Sequence, residues 1–400
     1  MFDRRTFLRS AALGAAVSLT PTLRSRTSPG DAGSPAIPRG RIIDLHTHWI
    51  GPRLFRLLAG RTAGPRYVVD GQGRRFAVPA GRTDPLPGAT PQTSIWFDVQ
   101  ERLAHLDSVG VRTQLINWVG ASYDAFLPPA EATALWRAHN DDLAELVRGH
   151  PGRFLGLATL PTADIPAAVA ELERAHRELG LSGAVLPLDA FVHLESARAL
   201  APIFAAAQRH RSLIYIHRGR AAPSIPLETP EVGPTNAYFG LPHSSEPNTA
   251  VASIPGDYPA ARSALITSTH LTTGAITLAL TDFLDPYPDV AVIYTMNGGS
   301  IAHLIEAVGQ RTSRAGQPDP TPRLRRLYYD TGATGRGPRG IALAAQVIGA
   351  DRIVFGSDFG PWPSIEPFVQ GVVDSGLGEA DRNRIYFENA GELLRGRVRT

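Results

Sequence analysis

From residue 41 onward, eight short β-rich apolar runs recur along the chain, each followed by an amphipathic stretch or a long loop. The runs cover residues 41–48, 113–119, 154–160, 182–188, 212–217, 290–296, 327–330 and 352–357. Helical patterns occupy 99–109, 130–148, 165–179, 197–210, 272–284, 301–311 and 341–348. Strand alternating with helix demands parallel strands joined by crossover helices. Eight repeats predict an α/β chain of the (β/α)8 or TIM-barrel class, which accounts for the count better than an open doubly wound sheet. The first run is followed by no G-x-G-x-x-G, which further weakens a dinucleotide-binding sheet. Two spacers, 51–92 and 218–269, are too long for plain connections. They follow the first and fifth runs, so long insertions after strands 1 and 5 are expected as lids or substrate walls on the catalytic face.

Composition removes several chemistries. The chain has no cysteine and no lysine, so its 40 cationic side chains are all arginine. Thiolate nucleophiles, sulfur-ligated metals, Schiff bases and carbamylated-lysine bridges are excluded, and any metal must sit on histidine and carboxylate. The formal charge of +3 is misleading about partners. Residues 1–41 carry seven arginines against Asp3 and Asp31, leaving 33 arginines against 35 acids in the rest. The basicity belongs to a leader, and no nucleic-acid partner is expected.

That leader opens Asp3-Arg4-Arg5-Thr6-Phe7-Leu8-Arg9, continues through an apolar run at 11–19 and ends in Pro/Ser/Gly-rich chain. It resembles a twin-arginine export signal, which implies the twin-arginine machinery as a partner and a periplasmic or extracellular destination. A disordered basic tail is the alternative, and cleavage of the leader is left open. Residues 1–40 are thus expected to be signal and flexible linker, and 41–400 a single barrel domain. No stretch approaches an integral membrane span.

The first run ends Asp44-Leu45-His46-Thr47-His48. Alternation along a strand sends His46 and His48 to the same side, about 7 Å apart, where two imidazoles can share one ion. The fifth run closes on His217 and the eighth reaches Asp358. Singly, His217 could be a satisfied core histidine and Asp358 a helix cap. Together they converge only if the sheet closes, because the eighth strand then neighbours the first.

In order along the chain, these residues resemble the amidohydrolase-related metal enzymes typified by aminocarboxymuconate-semialdehyde decarboxylase. The resemblance spans about 42–395 and includes Pro52, Arg102-Leu103 through Asp107 and Gly110, and Asn140-Asp141. It continues through His150-Pro151-Gly152-Arg153-Phe154, Glu171-Leu172, Arg174-Ala175, Leu179-Gly180, Tyr287-Pro288-Asp289 and Gly356-Ser357-Asp358. It implies one divalent ion, zinc first and manganese second, on His46, His48, His217 and Asp358. It further implies a small-molecule substrate and often a homodimer.

One departure matters. Where that family shows a histidine followed by glycines after strand six, this chain reads Asn297-Gly298-Gly299. An amide can orient water or a substrate oxygen but cannot exchange a proton near neutrality. Asp358 is therefore the expected proton carrier, assisted by His270 at the start of the helix after the long strand-five loop, with His243 behind it; either histidine could instead be a surface or capping residue. Arg218 could grip a substrate carboxylate, although a surface or helix-facing role fits a strand neighbour of His217 better. Trp49, Trp118 and Trp362 could wall the substrate or pack beneath loops. Asp189 and Asp330 could support the histidines or cap helices.

Three functions compete: a nonoxidative decarboxylase of a small carboxylic acid, a hydrolase of a lactone, ester or amide, and an exported barrel with a vestigial site. Hydrolysis needs a base for water, which Asn297 cannot supply, whereas decarboxylation chiefly needs an acid at carbon. The lyase reading is favoured.

Overall fold

The computed structural model describes residues 37–117, 124–225, 259–332 and 337–398. The leader, Trp118 and His243 lie outside these.

Eight parallel strands form the barrel: β1 (Ile42–His48), β2 (Val111–Asn117), β3 (Phe154–Gly156, resuming at Ala158–Thr159), β4 (Gly183–Pro187), β5 (Leu213–His217), β6 (Ala291–Tyr294), β7 (Tyr328–Asp330) and β8 (Ile353–Val354). Each pairs with the next in chain order. The ring closes between β8 and β1 through Leu45 N–H to the Phe355 carbonyl (2.9 Å), Asp358 N–H to the His46 carbonyl (2.8 Å) and His48 N–H to the Phe359 carbonyl (2.8 Å). The eight apolar runs are thus the eight strands of a TIM barrel, and closure brings Asp358 beside the β1 histidines.

Inside the barrel, Leu45, Leu115, Leu157, Val185, Tyr215, Ile293 and Val354 pack on one another. Leu393 and Leu394, from the helix Asn389–Leu394, join the same cluster. A second, larger core lies between strands and surrounding helices. Each fully buried Leu or Val contributes about 1.5–3 kcal/mol relative to exposure, so this double layer supplies most of the driving force.

The first insertion is more ordered than a plain loop. It holds α1 (Pro52–Ala59), an antiparallel hairpin of Arg66–Val69 with Arg75–Val78, and a short helical turn at Ser94–Trp96. It leads into α2 (Val99–Val109), whose start is set by Asp98: its carboxylate accepts from the Gln100 and Glu101 amides at 2.8 and 3.0 Å. The second insertion differs from the expectation at its end. Its helix begins at Pro259 and runs to Ala275, thirteen residues before the sequence pattern places it. Thr269, Thr272 and Thr273 donate their hydroxyls to carbonyls one turn back, which masks the amphipathic signal with locally satisfied polar groups. Among the described residues, no helix is long and apolar enough to cross a membrane.

Candidate metal centre

β1 carries a bulge. Asp44 pairs with Gln114 but Thr47 with Ile116, so three steps of β1 match two of β2. The extra residue lets Leu45 pack in the barrel interior while His46 also turns inward, where strict alternation would send one of them out. His48 follows on the same side. Asp44 pins this distortion from outside the barrel: it accepts from Gln114 Nε2 (3.0 Å) on β2 and from Ser357 N (3.0 Å) and Oγ (2.6 Å) beyond β8. The fully buried guanidinium of Arg102, on α2, donates to Gln114 Oε1 at 2.9 Å, to the Ile95 carbonyl at 3.0 Å and to the His48 carbonyl. Burial raises the Asp44 carboxyl to about 6 against hydrogen bonds from Ser357 and Gln114 that lower it, and lowers Arg102 to about 9.

His46, His48, His217 and Asp358 meet at the open end of the barrel, with donor atoms all within 4.8 Å of one another. His46 Nε2 lies 3.2 Å from His217 Nε2 and 3.4 Å from Asp358 Oδ1, and His48 Nε2 lies 2.9 Å from that oxygen. Ligands bound at about 2.0–2.1 Å around a tetrahedral ion stand about 3.3 Å apart, so these separations are edges of a coordination shell. The tautomers argue the same way. His46 Nδ1 faces Asp330 Oδ1 at 3.1 Å, and His217 Nδ1 donates to the Arg218 carbonyl at 2.8 Å. Both protons are therefore on Nδ1, and two Nε2 lone pairs point at each other across 3.2 Å. That arrangement is repulsive unless a proton or a metal cation lies between them. The residues present fit a divalent ion.

The surroundings are built for the same purpose. Burial alone would raise the Asp358 carboxyl, yet the imidazoles of His46 and His48 hold it below the usual carboxylate range. Its backbone is left-handed, with φ 57°, a strained conformation that turns the carboxylate back toward β1. Asp330, at the end of β7, also accepts from Tyr215 Oη at 2.6 Å and from the backbone amides of Met296 and Gly332. A side chain at Gly332 would strike His46 Nδ1, and one at Gly356 would strike His46 Cβ, so glycine at both positions makes room for the His46–Asp330 contact. Trp96 stacks over His48, with ring centres 6.1 Å apart and planes at 18°.

Other expected residues fall out differently. Asp330 is the carboxylate partner of a histidine, while Asp189 sits 3.8 Å from His270 Nδ1 and caps no helix. Asp358 caps no helix either, since the following one starts from Ile365. His270 is on the twelfth residue of its helix, well past the start, because that helix begins earlier than its sequence suggests. Arg218 is half-buried directly after β5, where burial lowers its basicity while Asp189 and Asp358 raise it. Trp49 is core, its indole donating to the Phe97 carbonyl at 3.4 Å, and it lines a pocket with Pro52, Phe55 and Phe97 that contains none of the four clustered residues. Trp362 is 40% exposed and packs on Phe368. Asn297 is buried in a left-handed turn after β6.

The model of the Amidohydrolase family matches residues 43–396. This chain belongs to the amidohydrolase family. It is 26% identical over 312 residues to a gamma-resorcylate decarboxylase of a Polaromonas strain, covering 75% of this chain and 88% of that protein. Among solved structures, the Metarhizium anisopliae IDCase superposes with a TM-score of 0.67 at 20% identity, covering 91% of this amidohydrolase and 99% of that chain. A Polaromonas dihydroxybenzoic acid decarboxylase, solved with manganese and 2-nitroresorcinol, superposes with a TM-score of 0.61 at 22% identity, covering 89% and 97%.

Sequence reading of this amidohydrolase missed three contributors. Tyr215 precedes His217 by two residues and so shares its face. Asn117 pairs with His48 across β1 and β2, but in the sequence it lies inside an apolar run rather than at its end. Trp96 lies inside an insertion and carries no sequence signal at all.

Proposed function

We propose that this amidohydrolase is a metal-dependent nonoxidative decarboxylase of a small hydroxylated aromatic carboxylic acid. The observation that carries the reading is the pairing of a complete four-donor cluster with an amide, Asn297, where a titrating group would be needed to activate water. The family relationship and the decarboxylase relatives support it.

His46, His48, His217 and Asp358 would hold the ion, which supplies positive charge against the substrate carboxylate and a neighbouring oxygen. Three imidazoles and a carboxylate suit zinc, and the manganese in the Polaromonas neighbour supports manganese equally. Asp358, ionised in the resting site, takes up a proton relayed from the mouth and carries it to the ring carbon. The bond between ring carbon and carboxylate breaks, its electron pair takes that proton at the ring carbon, and CO2 departs. Asp330 and Tyr215 keep His46 oriented, and Trp96 shields His48 from water. His270, paired with Asp189, assists by relaying protons at the rim. The leader supports export by a twin-arginine route.

Elemental analysis of the full chain, loaded with zinc or with manganese, followed by a CO2-release screen over hydroxybenzoates and an acid-release screen over lactones and esters, tests this. CO2 production lost in a His46→Ala/His48→Ala variant is expected. Acid release from lactones or esters without CO2 would replace the lyase by a hydrolase.

A further inference from the structure

Two buried amides in the mouth of the barrel have no hydrogen-bonding partner. Asn117 closes β2 fully buried, and Asn297 stands in the turn after β6 at 3% exposure. In each, both the amide nitrogen and the amide oxygen are unpaired, which holds for no other buried side-chain amide among the described residues. Unpaired buried polar atoms are rare because each forfeits its hydration without return. Four of them on the catalytic face make a cost that folding alone does not explain.

Asn117 is aimed at the site. It lies opposite His48 in the β1–β2 register, and Leu115, two residues earlier, packs in the barrel interior. The two-residue period therefore turns Asn117 inward beside the metal cluster. Asn297 is held in a left-handed conformation, φ 52° and ψ 23°, which asparagine tolerates better than other side chains. The preceding amide, from Met296, donates to Asp330 Oδ1 at 3.2 Å, which ties this turn to the carboxylate that orients His46.

We propose that Asn117 and Asn297 are the specificity-determining residues of this site and read neutral polar groups on the substrate ring. A side-chain amide offers a donor and an acceptor side by side. An unsubstituted carboxylate could engage only the two nitrogens and would leave both oxygens unpaired. A ring hydroxyl both donates and accepts, so one facing each amide satisfies all four atoms, and a ring edge bearing adjacent N–H and C=O against each would do the same. The substrate class is therefore a planar acid with such groups on its ring. This inference rests on the decarboxylase reading for the acid and the ion, and adds which residues choose among acids.

Calorimetric binding of benzoate, 2-hydroxybenzoate, 2,6-dihydroxybenzoate and 5-carboxyuracil to the manganese-loaded full chain provides the test. It would be run on wild type, Asn117→Leu and Asn297→Gly, glycine being chosen to suit the left-handed backbone. Wild type is expected to prefer the substituted acids over benzoate. Each variant should lose roughly 10- to 100-fold of that preference while holding benzoate within about twofold. The free Asn117→Leu protein should melt no lower than wild type, because two orphaned atoms are removed. Variants that keep the full preference, that lose benzoate and substituted acids equally, or a wild type with no preference, would each overturn the proposal. Preference without CO2 release would sink the decarboxylase reading and leave this one standing; CO2 release with a preference indifferent to both variants would do the reverse.

Discussion

The buried ring of His46 lies between two carboxylates, Asp330 on its Nδ1 side and Asp358 on its Nε2 side. Burial pushes against a charge on this ring, but Asp330 and Asp358 outweigh it and push its affinity for a proton up to about 10. Ion and proton therefore compete for one lone pair. Metal uptake at pH 7 should release about one proton per ion, seen as a dependence of the calorimetric enthalpy on buffer ionisation heat. An uptake heat independent of buffer would contradict this account of His46. Asp330→Asn keeps the shape of the residue but removes the charge that orients the ring, and should weaken metal retention by about 10- to 100-fold in a chelator competition. At this scale the four clustered residues were legible because each stands at the end of an apolar run. Asp330 was legible only as a candidate, since a carboxylate ending a strand could equally have capped a helix.

Elements are held in register by buried polar side chains between them. Asp124 accepts from Trp136 Nε1 at 2.5 Å on α3 (Pro129–Gly149), and from Thr162 N and Oγ1 at 2.6 and 2.8 Å in the turn after β3. Burial raises its carboxyl to about 6 in spite of those bonds. A folded value above the ordinary 3.8 means the native state holds the proton more tightly than the unfolded chain between those limits. This group's contribution to stability therefore falls as pH rises from about 4 to 6, by at most about 3 kcal/mol. Urea unfolding at pH 4 and pH 7 should show Asp124→Asn gaining on wild type as pH rises. A difference that stays constant would rule this out. Arg102 ties α2 to the strand carbonyl beside the metal cluster, so Arg102→Met should cost about 3 kcal/mol by leaving carbonyls of Ile95 and His48 unpaired. Strand and helix positions were legible from their periods. The β1 bulge was not, because it arises from a pairing mismatch between two segments about seventy residues apart.

For the whole molecule, a site assembled from β1, β5 and β8 exists only when the barrel is closed, so an ion bound there favours the folded state. Thermal unfolding of the full chain should shift upward on loading, by about 3 kcal/mol of stability at an ion concentration one hundred times Kd. EDTA should reverse the shift, and the His46→Ala/His48→Ala variant should show none. The amino-acid sequence by itself determined the fold class, because eight apolar runs separated by helical periods have few ways to bury both faces of a parallel sheet. It also determined the donor set, since a chain without cysteine or lysine leaves only imidazole and carboxylate. What only the tertiary structure decided is where contacts between distant segments place each group. Closure set Asp358 beside His48, a bulge turned His46 inward, and a longer helix moved His270 away from its helix start. The two unpaired amides appeared only once their neighbours were known. Local periodicity carries the pattern of burial, whereas pairing, register and unmet hydrogen bonds are properties of neighbours that the sequence does not place side by side.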